Sequence, residues 1–82
     1  MTSVRNAESA IRRALRDHGR LGVDVDRVAA DADLGLSPQA SLNVMLALEG
    51  EFEVEFPQRM LRQRVFRSIG SIERALRDLI AA

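Results

Sequence analysis

The sequence predicts an all-α fold, a small bundle of four helices with a short third helix and a long loop after the first, in a single domain over residues 1–82. Three observations predict it. Apolar residues recur at three- and four-residue spacing in separate stretches. Glycine, serine and proline stand where those stretches begin and end. The one run that could be extended, Leu21–Val25, has no second run nearby to pair with. With 82 residues and 46% apolar composition, the chain can bury one small core and is too apolar to be disordered.

The first helix is expected from about Ser3 or Asn6 to His18, with Val4, Ala7, Ile11, Ala14, Leu15 and His18 on one face. Gly19 and Gly22 end it. From Leu21 to Ser37 the period disappears. Asp24, Asp26, Asp31 and Asp33 alternate with Val23, Val25, Val28 and Leu34, and Gly35 interrupts. This reads as a long loop held by Val25, Val28 and Leu34, with one helical turn near Arg27–Ala30. A loop of that length in so small a domain is usually functional.

Ser37-Pro38 starts the second helix, serine as N-cap and proline in the first turn. It is expected to run to about Glu51, with Leu42, Met45, Leu46, Leu48 and Phe52 as a wide apolar stripe. Pro57 disfavours helix at Phe56 and opens a short third helix through Met60 and Leu61 to about Arg64. The fourth begins with Ser68 as N-cap and buries Ile69, Ile72, Leu76, Leu79 and Ile80.

Composition narrows the function. There is no cysteine and one histidine, His18, which removes thiolate chemistry and multi-histidine metal sites and argues against an enzyme. The aspartates of the loop lack the spacing of a calcium loop, so no metal is expected. No apolar stretch approaches a membrane span, and MTSVRNAESA has no apolar signal core, so a cytoplasmic protein without membrane contact is expected. All twelve basic residues are arginine, and they are segregated. Five arginines precede residue 23 and six follow residue 56, whereas eight carboxylates lie between against Arg27 alone. Acidic middle and basic ends can pair within one folded monomer. With zero net charge and no Tyr or Trp to stack bases, the Arg12, Arg13, Arg16 and Arg20 stripe does not predict nucleic-acid binding.

The run Asp33-Leu-Gly-Leu-Ser-Pro-Gln-Ala-Ser-Leu-Asn-Val-Met-Leu-Ala-Leu-Glu-Gly-Glu-Phe-Glu-Val-Glu-Phe-Pro57 resembles the acyl carrier protein family. That family carries D-L-G-x-D-S-L, a helix ending A-L-E-E-E-F, then x-x-E-I-P. Asp33-Leu34-Gly35, Ala47-Leu48-Glu49-Gly50-Glu51-Phe52 and Glu55-Phe56-Pro57 match without a gap. Phe66-Arg67-Ser68-Ile69-Gly70-Ser71-Ile72 is similar to the family's F-x-S-I-x-x-I. The Gly-Leu-Ser start and the Met60-Leu61-x-Arg-x-x-Phe66 spacing are similar to small stand-alone carriers loaded with amino acids by ligases resembling aminoacyl-tRNA synthetases.

The resemblance implies a four-helix acyl-carrier-protein-like bundle and a carrier of acyl or aminoacyl groups. A phosphopantetheinyl transferase would attach 4'-phosphopantetheine to a serine, and a ligase or synthase would load the arm's thiol as a thioester. The phosphodiester at a helix start suits the unpaired N–H groups there. Counted without gaps, the family's serine falls on Pro38, which has no hydroxyl. Three readings remain: Ser37 carries the arm one position early; Ser37 only caps the helix and the domain is an arm-less binding or regulatory module; or the likeness is one of fold alone. The stretch that carriers dock with is also less acidic here. Leu36, Gln39, Asn43 and Leu46, with Glu49, form the candidate partner face, although Leu46 has a competing role in the core.

Overall fold

The computed structural model describes the backbone of residues 7–62 and 64–81, and their side chains except at residues 61 and 62. Helix α1, Ala7–His18, buries Ala7, Ala10, Ile11, Ala14 and Leu15 and turns its arginines to the other side. Val4 and the expected start of the helix lie outside the described residues. Helix α1 stops at Gly19, which cannot be a larger residue. Its N–H bonds the Leu15 carbonyl at 2.8 Å, and a Cβ there would sit 2.7 Å from that same oxygen.

Helix α2, Pro38–Phe52, is capped by Ser37 and has Pro38 in its first turn, as the sequence predicts. It ends at Glu53 in the left-handed region, whose N–H bonds the Glu49 carbonyl. Helix α3 is a single turn, Arg59–Arg62, tied to Pro57 by the Met60 N–H. Helix α4, Ile69–Ala81, follows a 3-10 turn at Val65–Arg67. Ser68 and Ser71 bond reciprocally there, each backbone N–H donating to the other's Oγ. The fold is therefore all-helical, three full helices and a single turn where the short third helix is expected. Among the described residues there is no strand.

Helix α1 packs against both α2 and α4. Ile11, Leu15, Val44, Leu48, Ile69, Ile72 and Leu76 are fully enclosed between them, each stabilising the fold by about 1.5–3 kcal/mol relative to an exposed side chain. Phe56 and Phe66 are buried in the same core with tilted rings 5.4 Å apart. Three expected core residues differ. Leu42, Leu46 and Ile80 are exposed, because the inner face of α2 is made by Ala40, Val44, Met45, Leu48 and Phe52 and that of α4 by Ile69, Ile72, Ala75 and Leu76. His18 is exposed as well.

The long loop is held down rather than free. Val25 and Leu34 are buried and Val28 packs against the core. Arg12 reaches across from α1 and donates one Nη to the carbonyls of Val25 and Val28, at 2.6 and 2.9 Å. The Leu34 N–H bonds the Arg67 carbonyl, and the Gly70 N–H bonds the Ala30 carbonyl, at 2.7 and 2.8 Å. The helical turn lies at Val25–Arg27 rather than Arg27–Ala30, because the Asp24 carboxylate accepts the Asp26 N–H and starts it earlier. The segregated charges meet as the sequence suggests. Arg16 pairs with Asp26, Arg13 with Glu51, and Arg64 and Arg67 with Asp33. These exposed pairs contribute at most about 1 kcal/mol each.

Candidate functional site

The junction between the loop and α2 is built by Asp33-Leu34-Gly35-Leu36-Ser37. Leu34 anchors it in the core. One Asp33 carboxylate oxygen accepts the Gly35 N–H at 3.0 Å, and Gly35 takes φ +61°, where a side chain is strained. The chain thereby turns up to Ser37, which is extended (φ −67°, ψ 160°) and exposed. Ser37 Oγ accepts the Ala40 N–H at 3.1 Å, and its carbonyl accepts the Ser41 N–H at 2.9 Å. Pro38, the next residue, offers neither a hydroxyl nor an N–H.

A phosphopantetheine arm needs an accessible hydroxyl with room beside it for a phosphodiester. Ser37 is exposed and carries a hydroxyl, and Pro38 carries none. A cavity of about 160 Å³ opens next to Ser37, lined by His18, Arg20, Gln39, Ala40 and Asn43 as well. His18 is the last residue of α1. Arg20 follows Gly19 and adopts φ +53°, a left-handed conformation that costs a non-glycine residue about 1–2 kcal/mol. Gly19 holds tight to the α1 terminus, so the chain reversal falls on Arg20 instead. Ser41 lies one turn into α2 and is half-buried.

The expected partner residues divide into two groups. Gln39, Asn43 and Leu46 follow helical spacing along one outer face of α2, and Gln39 Nε2 donates to Asn43 Oδ1 at 3.2 Å. Leu46 is 53% exposed and Leu42, beside it, 36%. Leu36 is half-buried and lines a second cavity of about 280 Å³ with Asp33, Gly35, Ser41, Arg64, Phe66 and Arg67. Glu49 is turned to internal work. One of its carboxylate oxygens accepts the Phe56 N–H at 2.8 Å and so shapes the Glu53–Pro57 exit.

Sequence reasoning missed Leu42 as an outer-face residue and Arg20 as a neighbour of Ser37. No local signal marks the second, since the contact arises only when the end of α1 packs beside the start of α2.

No family model matches the chain. Curated relatives do. The chain is 43% identical to the aminoacyl carrier protein of Agrobacterium fabrum over 68 residues, 79% of this chain and 82% of that protein. It is 32% identical to aminoacyl carrier protein 1 of Bradyrhizobium diazoefficiens over 73 residues, 89% and 81% of the two chains. Among solved structures, the chain is similar to the carrier protein from Agrobacterium tumefaciens in complex with an engineered Bradyrhizobium japonicum glycine:[carrier protein] ligase and ATP. The TM-score is 0.80 at 39% identity, covering 87% of this chain and 96% of that one. Sequence identity over most of both chains and an agreeing fold lead to one conclusion: the chain belongs to the aminoacyl carrier protein family.

Proposed function

We propose that this protein is a stand-alone aminoacyl carrier whose phosphopantetheine arm is attached to Ser37. The observation that supports it is the exposed, hydroxyl-bearing Ser37 at the loop–α2 junction with the cavity beside it, in a chain with the carrier fold. A carrier is not an enzyme. The arm, when bound, supplies a thiol that holds the cargo as a thioester. Attachment would form a bond from Ser37 Oγ to the phosphorus of coenzyme A that bears the pantetheine. Adenosine 3',5'-bisphosphate would leave, and a transferase base would take the hydroxyl proton.

The partners are then a phosphopantetheinyl transferase and a ligase that loads an amino acid. The ligase class is supported by the similar carrier solved in complex with a glycine:[carrier protein] ligase. Leu36, Gln39, Asn43 and Leu46 form the docking face, with Glu49 at its edge holding the loop. The carrier works as a cytoplasmic monomer. No helix among the described residues is long and apolar enough to cross a membrane.

The test is intact mass after incubation with coenzyme A, magnesium and a broad-specificity transferase, beside a positive-control carrier. Wild type is expected to gain one phosphopantetheine unit and Ser37→Ala none. A second reading is favoured by a specific observation. Pro38 occupies the family's serine position, and Ser37 Oγ already satisfies the Ala40 N–H. On that reading the protein is a carrier-like module without an arm that acts by binding a partner. A wild-type chain that stays unmodified while the control is loaded selects it.

A further inference from the structure

We propose that the Arg20 guanidinium, with the His18 ring beside it as a second donor, forms a cradle that holds the phosphodiester of the arm against the start of α2. The inference rests on Ser37 as the attachment point and goes beyond it by naming what holds the phosphate. Two residues in the first turn of α2 narrow what the helix itself can offer. Pro38 has no N–H, and the Ala40 N–H is already bonded to Ser37 Oγ at 3.1 Å. A phosphate on Ser37 therefore finds fewer backbone donors than an ordinary helix start would present.

The charge comes from another element. His18 and Arg20 line the same cavity of about 160 Å³ as Ser37. Most arginines near the acidic segment are committed elsewhere: Arg12 to Glu8 and two carbonyls, Arg13 to Glu51, Arg16 to Asp26, and Arg64 and Arg67 to Asp33. Among the described residues neither Arg20 nor His18 has a side-chain ion pair or hydrogen bond, and no carboxylate lines their cavity. Arg20 is also held at φ +53° where it stands. A guanidinium suits a phosphate anion, because its fork of N–H donors matches two phosphate oxygens. The remaining lining, Gln39 and Asn43, adds side-chain amides that can donate to the same group. Arg20 and His18 bind the arm's phosphate and take no part in loading or transfer.

The left-handed backbone of Arg20 supplies a clean variant. Arg20→Gly removes the charge and relieves the strained φ, so the fold is kept. The experiment is 31P NMR of the loaded protein, with intact mass as the check on loading. Expected are a phosphodiester resonance in Arg20→Gly displaced from wild type, a partial return in Arg20→Lys, and an unchanged or higher melting temperature for Arg20→Gly. His18→Gln is expected to displace the resonance less, as a second donor. Loaded wild type, Arg20→Gly and His18→Gln with coincident 31P resonances would overturn the cradle while leaving Ser37 as the attachment point. A wild-type chain that gains no phosphopantetheine beside a loaded control overturns the Ser37 reading, and the cradle falls with it.

Discussion

Helices α1 and α2 bury similar inner faces and use their outer faces in opposite ways. On α1 the outer side is charged, and Arg12, Arg13 and Arg16 all reach to other elements: two loop carbonyls, Glu51 and Asp26. On α2 the outer side carries Gln39, Leu42, Asn43 and Leu46, and both leucines are left in solvent. One helix turns its polar surface into a brace for the loop; the other leaves apolar surface unspoken for by the fold. In a small domain with one core, that division separates the helix that braces the loop leading to Ser37 from the helix whose outer face is proposed to meet a partner.

The largest effect is expected where the two helices are alike. Ile11 on α1 and Leu48 on α2 are both essentially inaccessible to solvent, so Ile11→Ala and Leu48→Ala should each cost about 2–5 kcal/mol in urea unfolding. Equal losses would show that the inner faces are equivalent and that the contrast lies outside. Arg12→Ala comes next. It removes two hydrogen bonds from a charged donor to partly buried carbonyls, so a loss of about 1.5–3 kcal/mol is expected. Arg13→Ala, by contrast, breaks an exposed pair and should cost less than about 1 kcal/mol. Amide exchange gives a sharper reading. Arg12→Ala should loosen the loop near Val25–Val28 ahead of the core, whereas uniform loosening would deny Arg12 its role as a brace.

Ser37→Ala follows in size for stability and leads in consequence. The hydroxyl caps α2 through the Ala40 N–H, and its loss should cost about 1 kcal/mol. Phosphopantetheine loading should vanish in the same variant. A variant that loads normally would move the arm to another hydroxyl, and one that unfolds would show the cap to matter far more than caps do.

Much of this architecture is legible in the sequence because its signals are local. Ser37-Pro38 and Ser68 mark helix starts by their own side chains, Gly19 marks an end by its lack of one, and Pro57 sets the chain into the turn that becomes α3. The early 3-10 turn is displaced from expectation because Asp24, read as one of several loop acids, acts as a cap. What stays hidden depends on which elements come together. Periodicity offers a wide apolar stripe on α2 but not which edge of it faces α1, so Leu42 reads as a core residue, and Leu46 as either core or partner face, until the packing places both outside. The hydrogen bond from the Phe56 N–H to Glu49 is hidden too, because nothing near Glu49 in sequence announces that Phe56 needs an acceptor. The proximity of Arg20 to Ser37 is likewise a property of two helix ends, seventeen positions apart in the chain.

Leu46 gives the smallest stability change and the sharpest test of the contrast. At 53% exposure it contributes little to the core, so Leu46→Gln should shift stability by no more than about 0.5 kcal/mol. The same change removes the apolar centre from a face flanked by Leu42, Gln39 and Asn43. If that face meets the ligase, aminoacylation of the loaded carrier should show a several-fold higher KM for the carrier with little change in kcat, because truncating a docking contact weakens binding without touching the reacting atoms. Arg16→Gln is the matched control on α1. It breaks an exposed pair with Asp26, and its stability cost should be comparably small. Its KM should stay at the wild-type value. A KM raised equally by both variants would mean that the ligase reads the whole surface, and the two outer faces would no longer differ in function. A KM raised by Leu46→Gln alone ties docking to the one helix whose outer side the fold leaves apolar.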